Sequence, residues 1–194
     1  MTEKAATRAY AGGSAALAST GMTTRSGARA VSAIAAAWVL SLGVDLLLHA
    51  GLLARLYVAP SPFLLQPDQA FRRIPLGYLA FLGLTIGLYW LLRRLTVRGA
   101  MAGLQLGAVA GSIVWGTFVV GLYSISTASP ALLAGWWVGQ TLELSLAGAV
   151  LGAAFAGRPM TRLWLIVSIV VAVCVIATVT LESLGLAPAM RIAT

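Results

Sequence analysis

Five long apolar segments dominate this chain, and they restrict its fold to one that spans a membrane. The segments cover residues 29–54, 75–92, 99–123, 131–157 and 162–184. Each reaches or nearly reaches the roughly 20 residues that a helix needs to cross the hydrocarbon core of a bilayer. We therefore predict an all-α, polytopic transmembrane bundle of five spans. Short connections join the last four spans, which makes neighbouring helices antiparallel.

The charged residues are few, and their positions exclude a nucleic-acid partner. Only 9% of the 194 residues are charged, whereas a soluble domain carries roughly 25%. The net charge of +8 comes from cations that nearly all flank apolar segments, so it reflects membrane topology rather than binding of DNA or RNA. The single Cys174 excludes a disulfide within the chain and a cysteine-rich zinc site.

The distribution of cations predicts the orientation. An inside N-terminus leaves four cations on the outer side, at Arg55, Arg72, Arg73 and Arg191. The other nine then lie on the cytoplasmic side, at Lys4, Arg8, Arg25, Arg29, Arg93, Arg94, Arg98, Arg158 and Arg162. The positive-inside rule favours this arrangement, with the N-terminus inside and the C-terminus outside. We predict a multi-pass protein of the cell inner (plasma) membrane, with the lipid bilayer as its first partner.

Two segments lie outside the predicted spans of the single transmembrane domain, 29–194. Residues 1–28 are rich in Ala, Gly, Ser and Thr and contain no apolar core, which predicts a flexible cytoplasmic tail rather than a signal peptide. Residues 55–74 form the predicted outer loop. Its prolines forbid a long helix, although Pro67 and Asp68 favour the start of a short one. The loop is predicted to lie in the outer interface, either as a connector or as a lid over the bundle.

Glycines at four-residue spacing predict how the spans pack. The stripes are Gly103, Gly107 and Gly111 on the third span, Gly148 and Gly152 on the fourth, and Gly83 and Gly87 on the second. Small residues in one stripe let helix backbones approach closely. We predict packing within this bundle, and we leave open docking against another subunit in a homo- or hetero-oligomer. The fifth span has no such stripe and is rich in Val, Ile and Leu, so it is predicted to face lipid at the periphery.

The polar residues inside the membrane lie at matching predicted depths. Asp45 on the first span and Glu143 on the fourth each lie roughly 10 Å below the outer interface. His49 is one turn nearer that surface than Asp45, and Gln140 is one turn nearer it than Glu143. Trp115 on the third span adds a further polar edge. Ionisable groups inside a membrane are costly unless paired, protonated or wetted, and they usually face the bundle interior. We therefore predict that these five residues form a ligand pocket.

The chemistry of the predicted pocket leaves several ligands open. Two carboxylates and an imidazole are suitable ligands for a divalent cation, and the same groups serve as proton relays. Acids beside Trp rings can also bind a cationic or hydroxylated lipid headgroup. The structural alternative is that Asp45 and Glu143 only hydrogen-bond to their neighbours and specify helix register. No Walker, Rossmann, HExxH or GxSxG motif is present, so we assign no catalytic residue, no metal site and no cofactor.

These features favour a non-catalytic membrane protein that binds or passes a small ligand. The ligand would be a cation, a proton or a lipid headgroup, in transport or in lipid binding. One alternative is a structural accessory subunit that docks in a larger membrane complex through its glycine stripes. The other is a small lipid-modifying enzyme with His49 as its base.

Several short motifs resemble those of one family of small uncharacterised bacterial inner-membrane proteins. The stretches at 44–48 (Val-Asp-Leu-Leu-Leu) and 55–57 (Arg-Leu-Tyr) resemble its first helix, which carries an Asp-Leu-Leu/Trp motif. The stretches at 77–79, 115–118 and 141–143 resemble its later helices. The chain lacks the aromatic residue and one of the acids of that pattern, and it adds a fifth helix. The resemblance implies that the two membrane acids form a matched pair, and it implies no activity.

Overall fold

A computed structural model describes residues 27–58, 61–65 and 67–188, and all of the regular structure in these residues is helical. The helices are α1 (Gly27–Leu52), α2 (Ala54–Val58), α3 (Pro67–Arg94), α4 (Ala100–Ile125), α5 (Pro130–Phe155) and α6 (Met160–Ser183). Within the described residues, all but the short α2 are long and apolar enough to cross a membrane. This confirms the all-α class and five candidate spans. Most of the predicted tail, residues 1–26, and Arg191 lie outside the described residues.

The segment predicted as a loop at 55–74 is largely helical. It includes most of α2, and α3 begins at Pro67 and continues through Pro75 to Arg94. Proline fits the first turn of a helix because its missing N–H has no partner there anyway. Pro75 lies two turns further on, where it removes one backbone hydrogen bond. The helix that Pro67 and Asp68 favour is thus not a separate short one but is continuous with the second span, and hydropathy gave no sign of this because the first turns of α3 are polar.

The central helix of the bundle is α5, which is buried along most of its length. Against it, α1 presents Ala33, Ala36, Ala37 and Leu40, all buried. Their spacing places them on one helix face. The same apolar core includes Leu88 and Leu92 of α3, Leu144, Ala147 and Leu151 of α5, and Leu163 and Val167 of α6. This core fills the end of the bundle where α1 begins and α5 ends.

The glycine stripes of α4 and α5 contact each other within the chain. A Cβ added at Gly103 would overlap the carbonyl of Gly148, and one added at Gly107 would overlap the carbonyl of Leu144. The two backbones are close enough for Gly99 N–H to donate to the Gly152 carbonyl at 2.8 Å. The predicted packing within the bundle is confirmed for these two helices. Association with another subunit through the same glycines stays a prediction.

The glycines of α3 behave differently from that prediction. Gly83 and Gly87 are exposed, and a Cβ at either would meet no atom within 4 Å. The shared spacing on α3 therefore does not mark a contact with another of the helices described above, because spacing alone does not say which helix face is turned inward.

The ends of α1 are held by two arginines that cap neighbouring helices. Arg29 donates to the carbonyls of Ala154 and Arg158 at 3.0 and 2.8 Å, at the end of α5. Arg55, just beyond α1, donates to the carbonyls of Leu186 and Gly185 after α6. Carbonyls at a helix C-terminus have no partner within the helix, and cations satisfy them well. These contacts fasten α1 to α5 at one end and to the segment after α6 at the other.

The outermost helix, α6, packs on α1 along one side. A Cβ at Gly43 of α1 would lie 2.8 Å from Val171 Cγ2, so only glycine permits this approach. On α6 the buried residues are Leu163, Val167, Cys174 and Thr178. Much of the remainder of the helix is exposed, as predicted for a span at the periphery of the bundle.

Candidate functional site

The last seven residues of α1 form a π-helical stretch, Leu46–Leu52, that contains His49. It ends with a hydrogen bond of π-helical spacing, in which Leu53 N–H donates to the Leu48 carbonyl at 2.7 Å. Such stretches are rare, and they occur frequently at functional sites. Asp45 directly precedes the stretch and still faces the same way as His49, with 3.6 Å between Asp45 Oδ1 and His49 Nε2. The predicted shared face of these two residues is confirmed.

The acid of α5 completes a three-residue cluster with this pair. Glu143 Oε1 lies 3.6 Å from His49 Nε2, and one ligand atom from each of Asp45, His49 and Glu143 lies within 4.8 Å of the others. The side chain of Glu143 is only 3% exposed, whereas those of Asp45 and His49 are 19% and 16% exposed. Glu143 is therefore the inner member of the cluster, and the two α1 residues form its more open side.

Gln140 connects the imidazole to the inner acid. Its Nε2 donates to Glu143 Oε1 at 3.1 Å and lies 3.1 Å from His49 Nε2. Gln140 and Glu143 are three residues apart on α5 and thus share a face. An amide nitrogen carries two hydrogens, so it can donate to the carboxylate and to an unprotonated imidazole nitrogen together. The structure brings together four of the five predicted site residues in this way.

Two aromatic residues extend the hydrogen bonds on the other side of His49. The Tyr57 hydroxyl of α2 bonds to His49 Nδ1, and Trp136 Nε1 of α5 donates to the same hydroxyl oxygen. Phe63 packs on Trp136 with 6.1 Å between the ring centroids. Burial raises the pKa of the Tyr57 hydroxyl above its ordinary value, so Tyr57 acts as a neutral group that can donate or accept a hydrogen bond.

The contacts of His49 fit the neutral tautomer that carries its hydrogen on Nδ1. With the hydrogen on Nδ1, the ring donates to Tyr57, and Nε2 accepts from Gln140. With the hydrogen on Nε2, the ring N–H would face the amide hydrogens of Gln140 at 3.1 Å, and two donors would meet. Which nitrogen carries the proton in a histidine is set by the partners of both. Here the Tyr57 hydroxyl can donate or accept, whereas the Gln140 amide nitrogen can only donate, so the hydrogen belongs on Nδ1.

The fifth predicted residue, Trp115, makes no side-chain hydrogen bond to the cluster within the described part of the chain. It reaches the site through a small cavity of about 10 Å³ lined by Ser41, Phe81, Leu84, Thr85, Trp115, Gln140, Glu143 and Leu144. Two polar atoms of these residues, Trp115 Nε1 and Glu143 Oε2, are buried and have no hydrogen-bond partner within the described part of the chain. The two carboxylate oxygens of Glu143 thus have different surroundings.

Ser41, Tyr57 and Thr85 are among the polar residues of the site that were not predicted. Ser41 precedes Asp45 by four residues, and this helical spacing was a usable signal. Tyr57 follows the end of α1 at Leu53, so the helical periodicity of α1 could not place it near His49. In the sequence it was noted only as part of the motif at 55–57. Thr85 is a single hydroxyl in the middle of α3, and nothing in its sequence context distinguishes it from a hydroxyl that bonds to its own helix backbone.

The charge of the cluster is not balanced by a nearby basic side chain. Among the described residues, the imidazole of His49 is the only basic group within 4 Å of Asp45 or Glu143. Two ionised carboxylates in a poorly solvated place repel each other and lose hydration energy. They therefore require a proton, a protonated imidazole or a bound cation to compensate them.

Comparison with known proteins identifies no relative. No protein-family model matches the chain, and no similar curated protein or solved structure was found. Membership of the inner-membrane family whose motifs the chain resembles stays an expectation. The function must be inferred from the chemistry of the cluster itself.

Proposed function

We propose that this membrane protein binds a divalent cation between α1 and α5, with Asp45, His49 and Glu143 as its ligands. The observation that carries this proposal is the convergence of one ligand atom from each residue within 4.8 Å. Carboxylate oxygens and imidazole nitrogens are established ligands of divalent metals. The proposal selects the cation from the predicted set of small ligands.

The separations within the cluster fit one shared ion. Two ligand atoms that are each about 2.1 Å from a metal lie about 3–4 Å apart unless they are on opposite sides of it. The distances from His49 Nε2 to the carboxylate oxygens of Asp45 and Glu143 are both 3.6 Å. The third separation, between Asp45 and Glu143, is at most 4.8 Å, and a shared ion would draw these two carboxylates closer together.

The balance of charge supports a doubly charged ligand. Asp45 and Glu143 together carry two negative charges when ionised, and a neutral imidazole adds none. A divalent cation would neutralise these two carboxylates. Their burial makes an unneutralised charge costly in free energy. Because one ligand is an imidazole nitrogen, we expect Mn²⁺, Fe²⁺ or Zn²⁺ to bind more tightly than Mg²⁺ or Ca²⁺, which prefer oxygen-only sites.

The packing around the cluster favours binding and release from one side. Towards the end of the bundle where α1 begins, the described residues form a close apolar core that includes Ala36, Ala37, Leu40 and Leu151. On the opposite side, Asp45 and His49 keep some exposure. We infer that the cation enters and leaves past these two residues. Passage through the bundle would require the core helices to separate.

A second candidate ligand is the proton, and the hydrogen-bond chain favours it. The chain runs from Trp136 through Tyr57, His49 and Gln140 to Glu143. The Tyr57 hydroxyl can donate to His49 Nδ1 or accept from it, and histidine is a common proton relay. In this alternative the cluster stores or passes a proton, and no metal is needed.

Thermal unfolding of the purified protein in lipid nanodiscs tests the cation proposal. A ligand at 100 times its Kd stabilises the folded state by about 2.7 kcal/mol, which corresponds to a rise in Tm of about 5–10 °C for a chain of this size. We expect Mn²⁺ or Zn²⁺ to raise the Tm of the wild type and not that of Asp45→Asn or Glu143→Gln. Glu182→Gln is the matched control, because Glu182 lies on α6 outside the cluster, and it should respond like the wild type.

The outcomes separate the two candidates. If no divalent cation raises the wild-type Tm, or if Asp45→Asn and Glu143→Gln respond as strongly as Glu182→Gln, the cation site does not exist. A proton site would then be supported by pH-dependent infrared bands of carboxyl groups that disappear in Glu143→Gln.

We further propose that the protein lies in the inner membrane with its N-terminus inside. The proposal rests on the excess of cations on one side of the predicted spans. A periplasm-dependent reporter enzyme such as alkaline phosphatase, fused after residue 194, should be active. The same fusion placed in the α4–α5 connection should also be active, whereas one in the α3–α4 connection should be inactive. The reverse pattern would refute this orientation.

A further inference from the structure

The small cavity beside Glu143 combines a water-sized volume with buried polar atoms that have no partner among the described residues. Its volume is about 10 Å³, which is close to the least space that one water molecule needs. Within residues 27–58, 61–65 and 67–188, Glu143 Oε2 is an acceptor without a donor, and Trp115 Nε1 is a donor without an acceptor. Buried polar groups nearly always have a partner, either in the protein or in an ordered water.

We infer that this cavity is a binding site for one structural water molecule, which bridges Trp115 and Glu143. The water would accept a hydrogen bond from Trp115 Nε1 and donate one to Glu143 Oε2. Both residues line the same cavity. A buried water typically makes two to four hydrogen bonds, so these two contacts already meet the minimum.

Two hydroxyl groups in the cavity lining offer the water a third partner. Ser41 Oγ donates to the Ala37 carbonyl at 3.2 Å, and Thr85 Oγ1 donates to the Phe81 carbonyl at 2.8 Å. Each hydroxyl hydrogen is therefore used within its own helix, and each oxygen still has lone pairs that can accept. The second hydrogen of the water can be donated to one of them. The site draws these partners from α1, α3, α4 and α5, so no single helix contains it.

Through this water, Trp115 would also orient Glu143 in the cation site. This role of Trp115 rests on the proposed function. Oε1 of Glu143 faces His49, and the water would hold the opposite oxygen, Oε2. The plane of the carboxylate is then fixed from both sides. Groups that orient a metal ligand without touching the metal typically change affinity by 10–100-fold when removed. Trp115 is thus a positioning residue that acts through the water on Glu143.

The experiment has one measurement for the water and one for its effect on the cation. A crystal structure of the wild type in a lipidic phase should show one solvent peak within hydrogen-bond distance of Glu143 Oε2 and Trp115 Nε1. Infrared spectra in H₂¹⁸O should show a strongly hydrogen-bonded water band that shifts with the isotope and is lost in Trp115→Phe. Mn²⁺ binding, followed by electron paramagnetic resonance, should weaken about tenfold in Trp115→Phe.

Trp90→Phe is the matched control, because Trp90 is an exposed tryptophan of α3. It should keep both the water band and the wild-type Mn²⁺ affinity. Should Trp115→Phe fail to fold, the solvent peak and the isotope-sensitive band of the wild type decide the presence of the water by themselves.

The water inference and the cation proposal fail in different ways. If the wild type binds Mn²⁺ but shows no solvent peak and no isotope-sensitive band, the water site is refuted and the cation site stands. If the peak and the band are present but Mn²⁺ does not bind, the water site stands without the proposed function. If the water is present and Trp115→Phe binds Mn²⁺ with unchanged affinity, the positioning role of Trp115 is wrong.

Discussion

His49 of α1 and Glu143 of α5 face each other across the bundle, with 3.6 Å between Nε2 and Oε1. The contact joins the only histidine of the chain to its most buried described acid, and Gln140 donates to the acid beside it. Because Asp45 lies at the same distance from the imidazole, both carboxylates can act on one ligand held at His49.

The first prediction concerns Gln140, which holds Glu143 towards His49. Replacing Gln140 by Leu keeps a similar volume and removes the donor to Glu143 Oε1. We expect Mn²⁺ affinity to fall about tenfold, the size of effect typical of groups that orient a metal ligand. The measurement is a Mn²⁺ titration in nanodiscs. Gln105→Leu, an exposed position on α4, is the control, and equal affinities in the two variants would exclude this role of Gln140.

The second prediction concerns protons released by the cation. Metal ligands must be deprotonated to bind, so cation binding displaces protons and becomes weaker as the pH falls. Addition of Mn²⁺ or Zn²⁺ to the wild type in a weakly buffered solution should therefore lower the pH. The Asp45→Asn variant should release fewer protons. Binding that is equally strong at pH 5 and pH 8 would contradict coordination by two carboxylates and an imidazole.

The third prediction concerns the hydroxyl of Tyr57. Tyr57→Phe removes the partner of both His49 Nδ1 and Trp136 Nε1. Because it leaves buried polar groups unpaired, the change should lower the free energy of unfolding by about 1–3 kcal/mol. Chemical denaturation of the two proteins measures the difference. The same change at the exposed Tyr123 should have no comparable effect, and a similar loss in both variants would assign it to a general effect of the substitution.

The environment of Tyr57 also predicts a dependence of stability on pH. Its pKa is raised in the folded protein by burial, so the folded state keeps the proton to a higher pH than the unfolded chain does. The stabilisation is complete below the ordinary tyrosine pKa of about 10 and declines above it, as the unfolded chain ionises. Tyr57→Phe should reduce the loss of stability above pH 10. An equally steep loss in the variant would show that Tyr57 is not its source.

The fourth prediction concerns the contact between α4 and α5. A methyl group at Gly103 would overlap the Gly148 carbonyl, and backbone on both sides leaves no flexible group to move. Gly103→Ala should therefore destabilise the fold by about 2–3 kcal/mol. The exposed Gly87 of α3 has no atom within 4 Å of an added Cβ, so Gly87→Ala is the control. Thermal unfolding in nanodiscs is the measurement.

A stable Gly103→Ala variant would mean that α4 and α5 do not approach this closely in the membrane. The glycine stripes would then be available to another subunit, as in the accessory-subunit alternative. A destabilised variant would instead support the packing of these stripes within one chain.

The amino-acid sequence by itself determines the features that depend on one helix at a time. Apolar length identifies the five spans, and helical spacing puts Asp45 and His49 on one face and aligns the glycines of α4 and α5. These properties follow from a fixed rise and rotation per residue, which any helix imposes on its own side chains. The polar first turns of α3 carry no hydropathy signal, so apolar length does not show that the helix beginning at Pro67 continues into the second span.

Only the tertiary structure decided which faces meet. Depth along a span predicted that Asp45 and Glu143 lie at one level, but depth contains no information on how each helix is rotated about its axis. That rotation results from packing, from the contact of α4 with α5 and from the fastening of α1 by Arg29 and Arg55. It turns Glu143 towards His49. The interruption of the helix at Leu53 changes the direction of the chain, so that Tyr57 of α2 contacts the same imidazole.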